Sequence, residues 1–420
     1  MCRSNPLITF DNEDVIVGKL LGKGGFASVY SVDMSQSRLV QIDQRNHVLE
    51  TSFQESSSTL EIEEESALPP LQQQRRLMIK DGSERTLSAC QEVANPEDMV
   101  VKIIRSNKDE EHMAAAVRDL KQEVRLLAEL SLHPNICTLH GVSKGFWDEP
   151  EHGFLVLERL VEPLDRCLKK WREEELAEVG QRKGLLTRFG KKTTTNKDGY
   201  LAQELQAKRI QDVALPIARA MAFLHKNQVI FRDLKPANCG FGTAGVLRLF
   251  DFGLARKVDP DFRLTGGVGT PRYMAPEVAN HQDYTLSADI HSYGMLLWEI
   301  CTLQKPFGDI KTMDGMFNAV SDTSTNPSLK PIASTHVQDI LESCWHSDPS
   351  ARPSIRRLVK SMKSEVERIL QSVEAKEKEA CKKAAKKASK KAGKKAKAPK
   401  KEKKVQQAFD GDNVADMLWR

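Results

Sequence analysis

The sequence predicts an α+β fold, because strand-type and helix-type patterns both occur along the chain. Runs rich in β-branched and other large apolar residues at 15–21, 99–104 and 154–160 predict strands. Apolar residues spaced three and four apart over 115–132 predict an amphipathic helix, which ends before Pro134. These apolar residues are Val117, Leu120, Val124, Leu127 and Leu130.

The composition is typical of a globular protein. Of the 420 residues, 40% are hydrophobic and 29% are charged. A chain of this length can form two or more hydrophobic cores. No run of about eighteen apolar residues occurs, so we expect no transmembrane segment. The first residues, MCRSNP, lack an apolar signal core, and the eight cysteines form no C-x-x-C pair. We therefore expect reduced thiols, no zinc site and a cytoplasmic location, with the nucleus as an alternative.

Two short segments carry residues suited to phosphoryl transfer from ATP. Residues 231–238 read FRDLKPAN, and residues 251–253 read DFG. Asp233 can orient an incoming hydroxyl and accept its proton, and Lys235 can neutralise a γ-phosphate. Asn238 and Asp251 offer the hard oxygen ligands that Mg²⁺ prefers, with phosphate oxygens and water as its other ligands. The alternative interpretation is a polar turn followed by an acid in a loop.

These segments resemble the catalytic loop and the metal-binding loop of the eukaryotic protein kinases, and further kinase motifs occur in the expected order around them. The resemblance covers about residues 15–365. It implies a bilobal protein-kinase fold, with a small antiparallel-sheet N-lobe that carries one helix and a larger, mainly helical C-lobe. Residues 1–14 are then an N-terminal extension, and residues 366–420 are a basic C-terminal tail rich in lysine and alanine.

The resemblance assigns the phosphate-binding loop to residues 22–29, which read GKGGFASV. Gly22, Gly24 and Gly25 allow the backbone to close over phosphates so that N–H groups face the oxygens, and Val29 follows as a nucleotide contact. Ala27 stands where kinases have a third glycine. Taken alone, this glycine-rich turn fits an ordinary hairpin equally well.

Lys102 lies in the run MVVKII, which resembles the kinase strand whose lysine holds the α- and β-phosphates. Glu123 lies in the predicted helix, at the place of the glutamate that pairs with this lysine in kinases. Glutamates on helices are mostly surface residues. In this context we expect the pair to form, because an unpaired Lys102 in a cleft would be costly.

The run FLVLERL at 154–160 resembles the kinase hinge, which binds adenine through backbone groups. Glu158 and Leu160 are the implied nucleotide contacts, and Leu157 would guard the back of the pocket. An ordinary core strand is compatible with these residues as well.

The resemblance places an activation segment at 254–277, ending in the motif GTPRYMAPE. Within it, Thr270 matches the threonine that contacts the catalytic aspartate and lysine. Thr265 is the best-placed phosphate acceptor, and Arg232 could receive that phosphate.

Two further matches concern support of the C-lobe rather than chemistry. Asp289, in the run SADIHSYG, is implied to hold the catalytic loop. Arg352 is implied to pair with Glu277 of the A-P-E motif.

The form DLKP in the catalytic loop, together with Thr270, resembles serine/threonine kinases of the tyrosine-kinase-like group. The implied function is transfer of the γ-phosphate of Mg-ATP to serine or threonine hydroxyls of protein substrates, in signal transduction and with activation-segment phosphorylation. Phe231 replaces the usual histidine, a departure that leaves the chemical groups intact. The alternative is a pseudokinase or scaffold that acts through its insertions and a polyanion-binding tail.

Two segments exceed the minimal kinase pattern. Residues 34–97 are rich in Gln, Ser and Glu, which predicts an inserted, disordered loop in the N-lobe, with a candidate short hairpin at 76–82. Residues 171–208 are charged and predict a second inserted loop in the C-lobe.

The tail differs in kind from the rest of the chain. Residues 376–404 contain fifteen lysines and three glutamates, a net charge of +12, whereas the whole chain carries +5. Repulsion between lysines four residues apart predicts a helix that forms only in part. Three interpretations remain open: a solvated extension, a site for nucleic acid or another polyanion, and a nuclear localisation signal.

Residues 408–420 mix acids with apolar residues, as a docking peptide would. Nothing in the sequence indicates the oligomeric state.

Overall fold

A computed structural model describes residues 7–24, 27–34, 96–105, 109–130, 133–188, 196–259 and 264–396. By its internal contacts the chain divides into two units, Met1–Ile369 and Leu370–Arg420. The predicted hairpin at 76–82 and nearly all of the predicted insertion 34–97 lie outside the described residues, as do residues 397–420 of the tail.

The strands, in chain order, are β1 Ile8–Phe10, β2 Val15–Lys23, β3 Ala27–Met34, β4 Met99–Ile104, β5 Leu139–Ser143, β6 Phe154–Glu158, β7 Leu160–Pro163, β8 Val229–Ile230, β9 Cys239–Gly242, β10 Leu247–Leu249 and β11 Arg256–Lys257. The helices are α1 Glu110–Leu130, α2 Leu164–Arg188, α3 Asn196–Arg209, α4 Leu215–Lys226, α5 Pro276–Ala279, α6 Ser287–Thr302, α7 Met313–Ser321, α8 Thr335–Cys344 and α9 Ile355–Ala396. A π-helical turn, Ile210–Ala214, joins α3 to α4. None of the described helices is both long enough and apolar enough to cross a membrane.

The N-terminal region is a six-stranded sheet in the order β1-β5-β6-β4-β3-β2. All neighbours pair antiparallel except β1 and β5. Helix α1 carries a buried apolar stripe that includes Leu120, Val124 and Leu127, as its three- and four-residue spacing predicts. Helices dominate the chain from Leu164 onward. The prediction of an α+β fold with a sheet-rich N-lobe and a helical C-lobe is confirmed.

Strand β1 lies within the segment predicted to be an N-terminal extension. Its residues pair in parallel with β5, from Ile8 opposite Gly141 to Phe10 opposite Ser143. Phe10 is fully buried, and its carbonyl oxygen accepts from the N–H of Lys144 at 2.7 Å. A Cβ at Gly141 would lie 2.4 Å from the Ile8 carbonyl oxygen, so only glycine permits this approach. The boundary predicted at residue 14 is therefore wrong, because β1 belongs to the sheet.

Helices α2 and α3 cover most of the predicted C-lobe loop 171–208, and that prediction is wrong for the described part of the segment. Residues 189–195 lie outside the description. The end of α3 is fixed to α6, because Arg209 Nε and Nη2 donate to the carbonyl oxygens of Ile300 and Cys301 at 3.0 and 3.1 Å. Glu, Lys, Leu and Arg favour helices as well as solvent, so a charged composition does not distinguish an exposed helix from a loop.

Helix α6 is the centre of the helical region. Every residue from Ala288 to Cys301 is buried. Leu303 ends the helix in the left-handed conformation, with a φ of 55°. Because α6 is buried on all sides, its polar groups depend on partners within the protein, as the Asp289 carboxylate and the Tyr293 hydroxyl do. Among the described residues, His291 Nδ1 is a buried atom without such a partner.

The second unit is helical from Leu370 to Ala396, as part of α9. The sequence led us to expect only partial helicity there. Alanine has the highest helix propensity, and it alternates with the lysine pairs of this segment. We attribute the helical backbone to this propensity, which outweighs repulsion between neighbouring lysines.

Candidate active site

Lys102, Glu123 and Asp251 form one cluster, although the sequence separates them widely. Lys102 Nζ lies 2.6 Å from Glu123 Oε2 and 3.2 Å from Asp251 Oδ1. Strand β4 supplies the lysine, α1 supplies the glutamate, and the aspartate follows β10. Asp251 has a φ of 65°, a left-handed conformation that non-glycine residues rarely adopt and that concentrates at functional sites. The predicted pair of Lys102 with Glu123 is present.

The charges in this cluster stabilise one another. Burial by itself would lower the pKa of Lys102, but the carboxylates of Glu123 and Asp251 raise it above its ordinary value. The lysine is therefore cationic at all physiological pH values. Lys102 also lowers the pKa of Asp251, and Lys235 adds to this effect. Burial raises the pKa of Glu123, against the opposing effect of Lys102. The result is a fixed positive charge beside an ionised, half-exposed carboxylate.

The residues on either side of this cluster are fixed by packing. Phe252 is fully buried, and helix α1 packs against the turn Phe252–Leu254. The rings of Phe252 and Phe231 meet edge to face, with centroids 5.2 Å apart. This apolar contact joins the loop that carries Asp233 to the segment that carries Asp251.

Asp233, Lys235 and Asn238 form a second cluster with Thr270. Lys235 Nζ donates to Asp233 Oδ2 at 2.6 Å and to Thr270 Oγ1 at 2.8 Å. Thr270 Oγ1 donates to Asp233 Oδ1 at 2.7 Å, and Asn238 Nδ2 donates to Asp233 Oδ2 at 3.0 Å. Both carboxylate oxygens of Asp233 are thereby oriented. The proximity of Thr270 agrees with the contact that the sequence suggested.

Gly269 allows Thr270 to approach the catalytic loop. Its φ is +118°, and a Cβ there would lie 2.4 Å from the carbonyl oxygen of Arg232. Any side chain would force the two segments apart. In the sequence this glycine stands in the motif GTPRYMAPE, and nothing in the motif alone indicates the close approach.

The Asp289 carboxylate binds the backbone of the loop that carries Asp233, as predicted. Its carboxylate accepts from the backbone N–H groups of Phe231 and Arg232 at 2.8 and 2.9 Å. His225 Nε2, at the end of α4, lies 3.0 Å from the same carboxylate. These bonds support Arg232 in a left-handed conformation, with a φ of 69°. Sequence reasoning did not find His225, whose only signal was its position six residues before Phe231.

The predicted phosphate-binding loop falls between β2 and β3, and the described residues at its two ends are close to Lys102. Gly22 pairs with Val29, and Val29 pairs in turn with Lys102 on β4. The N–H of Gly24 donates to the carbonyl oxygen of Ala27 at 2.8 Å, which closes the hairpin. Gly25 lies outside the described residues.

The predicted hinge residues Glu158 and Leu160 lie at the end of β6 and at the start of β7. The Glu158 carboxylate accepts from Arg248 Nε at 2.8 Å and from the N–H of Thr138 at 3.2 Å. Its side chain is thus occupied within the protein, so any contact of Glu158 with a nucleotide falls to the backbone. Leu160 begins β7 and pairs with Gly242 of β9.

The residues present fit a divalent cation held together with phosphate. Asn238 directs its amide nitrogen at Asp233, which leaves its amide oxygen for another partner. Asp251 offers a half-exposed carboxylate. Within the described ranges, no group of three or more His, Cys, Asp or Glu side chains could hold a metal ion. Two oxygen ligands from the protein fit a divalent cation that takes its other ligands from substrate phosphates and water.

Family models of known domains match the chain over the region just described. Residues 78–362, more than half of the chain, match the model of the protein kinase domain. The chain belongs to the protein kinase family. The match spans Lys102, both clusters and the helical region, and it confirms the resemblance drawn from the motifs.

Individual kinases are similar to this chain over shorter segments. The serine/threonine-protein kinase STY17 of Arabidopsis thaliana is 33% identical over 150 residues, which cover 36% of this chain and 26% of that protein. The serine/threonine/tyrosine-protein kinase HT1 of Arabidopsis thaliana is 32% identical over 155 residues, 37% of this chain and 40% of that protein. The dual specificity protein kinase shkB of Dictyostelium discoideum is 32% identical over 169 residues, 40% of this chain and 25% of that protein. The matched segments thus span between a quarter and two fifths of these relatives.

Proposed function

We propose that this kinase transfers the γ-phosphate of Mg-ATP to serine or threonine hydroxyls of protein substrates. The observation that carries the proposal is the arrangement at Asp233, whose carboxylate is oriented by Lys235, Asn238 and Thr270. An oriented carboxylate next to a fixed lysine meets the needs of a reaction that depends on positioning and on positive charge. Serine/threonine preference is supported by the DLKP loop and by the name of STY17, a serine/threonine-protein kinase.

Each side chain has a distinct part in the proposed reaction. The oxygen of the substrate hydroxyl attacks the γ-phosphorus, the bond from that phosphorus to the bridging oxygen breaks, and ADP leaves. Asp233 orients the hydroxyl and accepts its proton. Lys235 neutralises charge on the transferred phosphoryl group, and Lys102 holds the α- and β-phosphates. Mg²⁺, bound through Asn238 and Asp251, would supply further positive charge to the phosphate oxygens.

Replacement of Lys102 by methionine tests this proposal. We expect purified wild type to incorporate γ-phosphate into a generic serine/threonine substrate, and Lys102→Met to lower the rate by about 10²–10³-fold, as loss of one preorganised charge does. Lys226→Met, which removes an exposed lysine at the end of α4, is the matched control and should keep wild-type activity. Wild type without transfer to any hydroxyl would favour the pseudokinase or scaffold alternative instead.

We also propose that phosphorylation of Thr265 activates the kinase. Thr265 is exposed and follows Leu264, which forms a bridge with Tyr284. The hydroxyl of Tyr284 lies 3.3 Å from Arg232 Nη1, so the guanidinium next to Asp233 lies close to this part of the activation segment. A phosphate on Thr265 could pair with that guanidinium and order the segment.

The expected result is a roughly 5- to 150-fold higher kcat for protein phosphorylated at Thr265 than for the unphosphorylated form, the usual range of coupling between two sites. Thr265→Ala should abolish this increase, whereas Thr285→Ala, at a nearby exposed threonine, should retain it. Mass spectrometry would verify the phosphorylated site in each preparation. Equal activation of Thr265→Ala and wild type would contradict the proposal.

The proposed place of action is the cytoplasm or nucleus, in a signalling pathway. Cys137, Cys167, Cys239, Cys301 and Cys344 are free and buried, as expected for a protein kept in a reducing compartment.

A further inference from the structure

Two ion pairs join helix α1 to strand β11, which follows the DFG triplet. Asp119 Oδ1 lies 3.1 Å from Arg256 Nη2, and Glu129 Oε2 lies 2.6 Å from Lys257 Nζ. The first pair is partly buried, with 24% of the Asp119 and 31% of the Arg256 side chain exposed. The second is more exposed, at 50% and 56%. The two pairs therefore differ in how strongly solvent screens them.

Arg256 also binds the backbone of the turn after Asp251. Its Nη1 nitrogen donates to the carbonyl oxygens of Gly253 and Ala255, at 2.6 and 2.8 Å. One guanidinium thus binds the turn after Asp251 with one nitrogen and helix α1 with the other. A planar fork of donors is suited to this, because it holds both partners in one geometry.

Asp119 lies four residues before Glu123 on helix α1. Residues four apart on a helix lie on the same face, one turn from each other. On this face, Glu123 accepts from Lys102, which also donates to Asp251, while Asp119 accepts from Arg256. The turn approaches closely here, since a Cβ on Gly253 would lie 3.4 Å from Asp119 Cβ. A single turn of α1 is therefore connected to the DFG segment twice, through Lys102 at Asp251 and through Arg256 at Gly253 and Ala255.

We propose that Asp119 and Arg256 are positioning residues, which hold α1 in the register where Glu123 reaches Lys102 and Asp251 faces the phosphates. Neither side chain takes part in the chemistry. If α1 moves away from the turn, the Asp119–Arg256 pair and the Glu123–Lys102 pair separate together. Loss of the first pair lowers the fraction of molecules that have the second. This inference rests on the proposed kinase activity for its kinetic consequence, but not for its structural one.

The test compares Asp119→Asn and Asp119→Glu with wild type in the full chain. We expect Asp119→Asn to lower kcat by roughly tenfold, in line with the strength of a hydrogen bond to a charged group. We expect Asp119→Glu, which keeps the carboxylate, to recover most of the rate. The same samples are examined by amide hydrogen exchange of α1 and by thermal unfolding. Faster exchange over α1 at an unchanged midpoint distinguishes positioning from a general loss of stability.

Lys257→Gln is the matched control. It breaks the ion pair of the neighbouring residue with the same helix but leaves Gly253, Ala255 and Asp119 with their partners. We expect wild-type kcat and wild-type exchange of α1. An equal loss of kcat in Lys257→Gln would overturn the proposal. It would show that any ion pair between α1 and β11 has the same effect.

The outcomes for this inference and for the proposed function are separate. Active wild type together with an equally active Asp119→Asn would overturn the inference alone. Wild type without phosphate transfer would overturn the proposed function, and the exchange of α1 would then decide the inference. In that case, unchanged amide exchange in Asp119→Asn would overturn the inference. Faster exchange confined to α1 and to the turn after Asp251 would support it.

Discussion

Replacement of Asp233 by asparagine is expected to lower kcat for phosphate transfer by about 10²–10⁴-fold, the usual contribution of general acid–base catalysis. Asparagine has nearly the same shape, but its amide cannot accept the proton of the substrate hydroxyl. The hydrogen bonds from Lys235 and Thr270 also lose their charged acceptor. Since Asp289 holds the backbone of the loop independently of this side chain, the fold should persist.

The measurement is kcat and KM for Mg-ATP at saturating peptide, together with the thermal midpoint and the affinity for Mg-ADP. The expected pattern is a lost kcat with retained nucleotide binding, because Lys102 and Asp251 are untouched. Asp339→Asn, at an exposed acid on α8, is the control for loss of a negative charge in the same lobe. Retention of more than about a tenth of the wild-type kcat would show that another group accepts the proton.

The candidate site residues could be located in the sequence because each lies in a short, ordered pattern. The strand around Lys102 and the helix around Glu123 show their periodicity within a few residues, so their elements follow from local rules. The pairing of Lys102 with Glu123, however, came from the kinase resemblance and from the cost of an unpaired buried charge. Glu158 shows the limit of motif reasoning, since its carboxylate is bound to Arg248, a contact that no motif contains.

The features that were missed depend on contacts between distant parts of the chain. Strand β1 has only three residues, too few for a periodic signal, and its partner Gly141 lies far along the sequence. Helix α3 has a charged composition that suits a solvated loop, and the contacts of Gln206 and Arg209 with α6 show that it is packed. The composition of each of these segments is compatible with more than one secondary structure. Contacts with distant parts of the chain then determine which structure the segment adopts.

Replacement of Arg352 by alanine is expected to destabilise the protein by about 3–5 kcal/mol, the cost of breaking a buried charge pair. The Arg352 side chain is fully buried, and its Nη1 and Nη2 nitrogens lie 2.6 and 2.9 Å from the two carboxylate oxygens of Glu277. Its Nε donates to the carbonyl oxygen of His346 at 3.0 Å. Alanine would leave the Glu277 carboxylate buried without its counter-charge. Arg352→Lys should recover little, because an ammonium cannot reproduce the two parallel bonds.

Chemical denaturation of each variant measures this effect. Lys169→Ala, which breaks an exposed pair with Glu173, is the control and should cost less than about 1 kcal/mol. The double variant Arg352→Met with Glu277→Leu should be more stable than Arg352→Ala alone, because neither charge then remains buried. If the double variant were the less stable of the two, the cost would lie in the bonds of Arg352 to His346 and Ser287 rather than in the stranded carboxylate. The two variants together therefore separate the penalty of an unpaired charge from the contribution of the arginine itself.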